Sequence, residues 1–373
     1  MEPVAKPPMI NRTRLVETFL ELVRIDSPSQ QEAAIADYLE PTLSACGCTV
    51  MRQPYGASFN LIATRPSPLP NAPWLLLSAH MDTVESTAGI DCRIEDGIIR
   101  SAGTTILGAD DKSALAQIVE MLRIMQEYLL PAINLEIVLT SGEEQGLMGA
   151  RNLNMSRLKS RRAVVLDISG PPGLIVTAAP AREQFSIAVL GRAAHAGIEP
   201  EKGINAVRVA AEIIAELPNA RIDDRTTFNV SMLTGGAAMN IVPKEATICG
   251  EFRTHDDDLR RELRARIQAV AEGIAGRHGA AVNIQMEPEY EGFRLDDNEP
   301  FLVHIEAAIT ACGVTPQRIT TGGGSDANIF NTCGIVCVNI SNGMMQIHSP
   351  EEHISVDNLV AGTEILIRLV CAR

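Results

Sequence analysis

Residues 74–82 read Trp74-Leu75-Leu76-Leu77-Ser78-Ala79-His80-Met81-Asp82. The apolar part has the length of a strand buried on both faces, and stops far short of the roughly 18 residues a spanning helix needs. It then runs straight into a histidine and an acid. Ala163-Val164-Val165-Leu166 repeats the pattern and ends at Asp167. In open α/β sheets the site lies beyond the carboxyl ends of the strands, so these two endings mark a fold and a place within it.

Working outward, residues 12–24 carry Leu15, Phe19, Leu22 and Val23 on one helical face, closed by Ser27-Pro28. A second helix is expected from about Gln31 to Ala45, and strands at 59–64, 74–79, 133–140 and 162–168. Between them a helix over 112–129 aligns Leu115, Ile118, Leu122, Met125 and Leu129. Strands alternating with helices imply a mostly parallel α/β sheet.

The pattern changes near Pro180. A half-exposed strand at 183–191 (Phe185, Ile187, Val189) is followed by a helix at 204–217 and strands at 226–233 and 245–253. A helix at 257–275 opens behind Asp256, Asp257 and Asp258, and a strand at 280–286 completes a β-α-β-β-α-β order. That order describes a ferredoxin-like module. From Tyr290 the α/β style returns, with a helix at 299–312, a strand at 335–340 and a helix at 357–371. The expectation is one α/β domain built from residues 1–179 and 290–373, interrupted by a small α+β domain at 180–289.

The 373 residues are 46% apolar and 21% charged, enough for a full core, which excludes disorder over most of the length. Forty-six acids against 32 bases leave a net charge of −14. That argues against a nucleic-acid surface and suits a collector of divalent cations. The N-terminal stretch Met1 to Pro8 has no apolar core for a signal peptide, and no membrane segment is expected. Eight cysteines show no paired CxxC spacing, which reads as reduced, mostly buried thiols in a cytoplasmic protein.

The chemistry gathers in a few short segments. His80-Met81-Asp82 places both polar side chains on one face of an extended segment, where a carboxylate can orient a metal-binding imidazole. Asp110 and Asp111 stand at the start of the long helix, where N-capping would be the plainer reading. Glu143 and Glu144 follow the strand 133–139; one suits a metal and its neighbour a water. Asp167 ends an apolar strand, a costly place for an unpartnered charge. His348 follows another apolar run. His80, Asp110, Glu144, Asp167 and His348 thus fall at the carboxyl ends of five successive expected strands. Two imidazoles and three carboxylates suit zinc first, with manganese or cobalt as alternatives. Two ions sharing one carboxylate would sit roughly 3.5–4 Å apart and clamp a water for hydrolysis. His255, His278 and His304 read as structural.

Seven segments, SAHMDTV (78–84), GADDKSALA (108–116), TSGEEQGLMGAR (140–151), LDISG (166–170), GRAAHAG (191–197), GGGSDAN (322–328) and IHSPEEHIS (347–355), occur in that order. Together they resemble the two-zinc exopeptidases that include peptidase T, carboxypeptidase G and the aminoacylases, with the peptidase T branch the nearest. The resemblance implies a zinc-exopeptidase-like catalytic domain with a mixed, mostly parallel sheet and a lid or dimerisation domain inserted in it. It makes Asp110 the bridging ligand, joined by His80 and Asp167 on one side and by Glu144 and His348 on the other. Glu143 matches the general base and Asp82 the carboxylate that orients His80. A cis peptide is implied between Asp110 and Asp111.

By the same resemblance His195 reaches a partner subunit's site to stabilise an oxyanion, which implies a homodimer through residues 180–289. Asn240 and Arg253 match binders of the substrate carbonyl and carboxylate. Ser325 and Asp326, in the loop after Gly322-Gly323-Gly324, would line the pocket. The expected activity is hydrolysis of short peptides from a free N-terminus, possessing tripeptides among its substrates. Deacylation of N-acyl amino acids and carboxypeptidase action share the same site, and a catalytically silent metal-binding scaffold is the remaining alternative. The chain is shorter than peptidase T itself, which bears on any restriction to tripeptides.

Overall fold

The structure is a computed structural model and describes residues 10–371. The N-terminal stretch read above as lacking a signal peptide lies outside the described residues. Among these residues no helix is long and apolar enough to cross a membrane.

The chain divides into two compact units. The larger runs to Thr177 and resumes over Arg294–Thr320 and from Ser325; the smaller holds Ala178–Phe293 with Thr321–Gly324. The larger unit's main sheet has nine strands. Across it lie Thr49–Tyr55, Ser58–Arg65, Asn134–Thr140, Trp74–His80, Arg162–Val165, Val336–Ile340, Leu174–Ala179 and Phe293–Arg294, with Gln317–Thr320 paired to Leu174–Ala179. The central pairings are parallel and the outer ones antiparallel. Residues Leu75 to His80 are all buried, as a strand flanked on both faces requires. The strands by which the chain leaves and rejoins this unit are neighbours, and Leu295 N–H donates to Thr177 O at 2.9 Å.

The helix over Ala109–Glu127 departs from the amphipathic stripe expected of it. It is buried nearly all round, because it packs among the strand Trp74–His80 and the helices Arg12–Arg24 and Val356–Val370. It also begins three residues earlier than expected, at Ala109, with Asp110 and Asp111 in non-helical conformations and a cis peptide between them. A side chain buried there with a charge needs a partner. Glu120 has one in Arg14, whose Nε and Nη2 donate to its two carboxylate oxygens at 2.7 and 2.8 Å. Glu120 is wholly buried, so Arg14→Ala would strand its charge and is expected to destabilise the larger unit by about 3–5 kcal/mol. Denaturant titration checks this; a loss under about 1 kcal/mol, as for exposed pairs, would contradict it.

A second, four-stranded sheet orders Met344–Met345, His353–Ser355, Ile98–Ser101 and Cys92–Glu95. None of these was expected. They are two to four residues long and the last two turn about Asp96 and Gly97, both at positive φ. Such runs are too short to show a period. Of the eight cysteines, all free, only Cys46, Cys48 and Cys337 are buried, and Cys333 is exposed, so "mostly buried" was too strong.

The smaller unit follows the β-α-β-β-α-β order. Its antiparallel sheet runs Ala220–Asp223, Thr226–Gly235, Glu245–Thr254, Ala181–Leu190 and Ala281–Tyr290, the first being an added edge strand. Alternation places Phe185, Ile187, Val189, Phe228, Ile248 and Phe252 on one face. The helices Ala206–Glu216 and Asp257–His278 cover that face with Val209, Ile213, Leu263 and Ile267. Asp256 caps the second helix through its side chain, as the acidic run suggested.

Candidate metal centre and its base

Three of the five proposed ligands follow parallel strands of the main sheet: His80 ends Trp74–His80, Glu144 follows Asn134–Thr140, and Asp167 follows Arg162–Val165. The other two do not. Asp110 lies in the first turn of the Ala109–Glu127 helix, and His348, at positive φ, in a loop after Met344–Met345. The expectation of five strand ends is corrected to that extent, yet all five side chains meet.

Asp110 is their centre. Its Oδ1 lies 2.9 Å from His80 Nε2 and its Oδ2 3.1 Å from His348 Nε2. His348 Nε2 is also 2.9 Å from Glu144 Oε1. Donor atoms of His80, Asp110 and Asp167 all lie within 4.8 Å of one another, as do those of Asp110, Glu144 and His348. Those of His80, Glu143 and Glu144 form a third such group.

The surroundings fix these groups. His80 Nδ1 donates to the Asp82 backbone carbonyl at 2.9 Å, so Nε2, the nitrogen that faces Asp110, is the one a metal ion would take in place of its proton. The Asp82 carboxylate also faces Nδ1, at 3.5 Å, so main chain and carboxylate of the same residue meet that nitrogen. The carboxylate further accepts from Ser29 Oγ at 2.7 Å and from the N–H groups of Glu143 and Glu144 at 3.0 and 3.2 Å. Asp111 accepts from the His80 N–H at 3.2 Å and from Asn342 Nδ2 at 2.7 Å. Glu352 accepts from the N–H groups of Gly108 and Asp110 at 2.6 and 2.9 Å. Behind the glutamate loop, a Cβ on Gly149 would lie 2.5 Å from Asn60 Oδ1 and 2.6 Å from Ser141 O, so only glycine lets the two backbones meet.

Ser29, Asn342 and Glu352 were not singled out from the sequence. Nothing in their neighbours marks them, although the acid at 352 sits inside the IHSPEEHIS segment.

The electrostatics of the cluster are those of too many buried acids. Burial, and after it the charge of Asp167, pushes the Glu143 carboxyl well above its usual range. Burial and then Asp110 do the same to Asp167. Burial opposes a charge on His80, but its hydrogen bonds to Asp110 and Asp82 outweigh that and raise it. Hydrogen bonds to Asp110 and Glu144 carry His348 to about 10. Asp110, by contrast, is held below the usual carboxylate range, against its burial, by its hydrogen bonds to His348 and His80. The protons that divalent cations would displace therefore sit on Asp167 and the two imidazoles, since ligands bind metal deprotonated. Two imidazoles and three carboxylates, one of the latter common to both donor sets, fit two such ions.

Of Ser325 and Asp326, Ser325 ends the glycine loop as expected, whereas Asp326 is the first residue of a helix. Ser325 is the N-cap of a short helix, Asp326–Thr332, and its hydroxyl accepts from Asn339 Nδ2 at 3.1 Å. Asp326 is buried, and its Oδ2 accepts from Thr140 Oγ1 at 2.6 Å. His195, Asn240 and Arg253 belong to the smaller unit. There His195 pairs with Ile241, Ala196 N–H donates to Asn240 O, and both His195 and Asn240 are exposed. Arg253 Nε donates to Glu251 Oε1 at 2.9 Å.

Known proteins share this fold. An aminopeptidase PepT structure from Bacillus cereus ATCC 10987 is similar, with 36% identity and a TM-score of 0.88 over 97% of this chain and 98% of that one. A tripeptidase structure from Staphylococcus aureus subsp. aureus mu50 gives 34% identity and a TM-score of 0.91 over the same shares. Peptidase T of Alkaliphilus oremlandii (strain OhILAs) is 26% identical over 95% of this chain and 98% of its own length. Residues 76–372 match the family described as peptidase family M20/M25/M40. A buried, acid-rich pair of donor sets on this fold is what that match would require, and the chain belongs to peptidase family M20/M25/M40, as a hydrolytic enzyme of its peptidase T-like branch.

Proposed function

We propose that the enzyme removes residues from the free N-terminus of short peptides, tripeptides among them. The observation that carries this reading is Asp110, whose two oxygens each face one imidazole while Glu143 stands in the same cluster. His80, Asp110 and Asp167 would hold one divalent ion and Asp110, Glu144 and His348 another, zinc foremost, with manganese or cobalt as alternatives. Bound there, the ions would supply Lewis acidity, polarising a carbonyl and acidifying a water.

The chain's own residues do the rest. Glu143 takes a proton from the attacking water on its carboxylate and gives it to the leaving amine. Asp82 grips the two amides that carry Glu143 and Glu144, and so sets where the base points.

In this reading His195 stabilises the oxyanion. Its Nδ1 accepts from the Gly197 N–H at 3.2 Å, which leaves the proton on Nε2 for donation. Asn240 takes the substrate carbonyl. Arg253, its guanidinium plane held by Glu251, takes the carboxylate. Ser325 and Asp326 serve the pocket wall. Free thiols support a reducing, cytoplasmic setting.

His195 is assigned to a partner's site, so the reading includes a homodimer through the smaller unit. Its support is an open edge: Ala220–Asp223 pairs with Thr226–Gly235 only over residues 226–228, and beyond them Met232 and Leu233 are exposed. An unpaired apolar edge is a template for another chain. Met232→Lys with Leu233→Lys should turn the dimer into monomers by sedimentation and lower activity with it. A wild-type monomer that is fully active would remove His195 from the mechanism.

The deciding experiment is a hydrolysis panel of free dipeptides and tripeptides, N-acetyl amino acids and N-blocked peptides, each with and without a chelator. Chelator-sensitive cleavage confined to free peptides is expected. Cleavage only of N-blocked substrates would replace this reading with deacylase or carboxypeptidase action.

A further inference from the structure

Glu32 is an acid in an unusual position. It is 2% exposed, and no lysine, arginine or histidine pairs with it among the described residues. A buried carboxylate without a counter-ion persists only where hydrogen bonds stand in for water. Glu32 has them from the main chain: its Oε1 accepts from the Gln30 N–H and from the Gly142 N–H, both at 2.9 Å.

The second of these bonds spans 110 residues and ends beside the base. Gly142, Glu143 and Glu144 then form a run of three successive amides, each held by a buried acid. Glu32 Oε1 takes the first, Asp82 Oδ1 the second and Asp82 Oδ2 the third. Gly142 itself is at positive φ, the bend from which the loop departs. The carbonyls of the loop are tied on its far side, Gly142 O by the Met148 N–H at 3.0 Å and Glu143 O by the Leu147 N–H at 2.8 Å. The bond from Glu32 holds the amide at which the loop starts.

We propose that Glu32 is a positioning residue for Glu143, fixing by its reach to the Gly142 amide the direction in which the base is presented. It never touches substrate. The inference rests on Glu143 being the general base, and the two are separable by experiment. The requirement is for an acceptor at a set distance, not for charge. A single oxygen makes both bonds, so glutamine keeps them, whereas aspartate keeps the charge but is one methylene too short.

Four variants of the full-length, ion-loaded enzyme test this: Glu32→Gln, Glu32→Asp, Glu32→Ala and Glu143→Ala. Glu32→Gln should stay within about threefold of wild type. Glu32→Asp and Glu32→Ala should lose about 10- to 100-fold in kcat, the scale of an ångström's misplacement. Their KM should stay within twofold and their metal content should be unchanged. A phosphinic tripeptide analogue, which mimics the tetrahedral species, should bind them correspondingly more weakly, while inhibition by the product dipeptide should not change. Glu32→Asp near wild type with Glu32→Gln impaired would overturn the proposal, as would losses in kcat matched by loss of bound metal. Should Glu32→Ala fail to fold, the Gln and Asp pair decides alone. An inactive Glu143→Ala beside unaffected Glu32 variants sinks only the role of Glu32. An active Glu143→Ala sinks the underlying reading as well.

Discussion

Glu143→Ala is expected to lower kcat by about 10²- to 10⁴-fold, the usual contribution of a positioned acid–base group, with both metal ions still bound. The reasoning is geometric. Glu143 shares a donor group with His80 and Glu144, but it belongs to neither of the two sets joined through Asp110. Removing it should spare the ions and remove the proton carrier. Metal content by plasma mass spectrometry and turnover on a tripeptide must be measured on the same sample. Turnover within about tenfold of wild type would end its candidacy. Inactivity with the metal lost would make it a ligand instead. Glu143→Gln keeps the shape and the loop's hydrogen bonds, so an equally large loss there would locate the effect in the carboxylate.

Asp110→Ala should be more damaging still, because it removes both oxygens at once. His80 and His348 each face one of them, at 2.9 and 3.1 Å, so both donor sets lose their common member. We expect a protein that binds neither ion tightly and shows no turnover above background. His348→Ala, by contrast, touches one set and should leave one ion in place. Equilibrium dialysis against zinc separates the two outcomes. Two ions retained by Asp110→Ala would mean that the carboxylate does not bridge.

What could be read from the sequence, and what could not, divides by the kind of partner a residue has. His80 and Asp167 were legible because each terminates an apolar run, and burial followed by a polar stop is visible along the chain. Glu143 and Glu144 were legible for the same reason. The β-α-β-β-α-β order also declared itself, since alternation at Phe185, Ile187 and Val189 and the acidic cap at Asp256 are local signals. Glu32, Asn342 and Glu352 were not legible. Each is polar, each is buried, and each makes a hydrogen bond to a group between 110 and 244 residues away. No periodicity encodes such a bond. The strand Thr49–Tyr55 was missed because Arg52, Gln53 and Pro54 break the apolar pattern, and its place at the sheet's edge is what tolerates that proline. The helix Asp326–Thr332 is seven residues long, under two turns, and so offered too little repeat to detect.

The hydrogen bond from Leu295 to Thr177 has a consequence for how such a protein comes to be built. From the main sheet's side, everything between Ala178 and Phe293 is the loop of a hairpin, since its two ends are already neighbours. The entropy of closing a loop grows only with the logarithm of its length, so a whole domain held there burdens its host little more than a long turn does. Such a junction is a socket. It lets the part that would choose the substrate be exchanged, enlarged or trimmed by descent while the acids and imidazoles of the other part stay as they are.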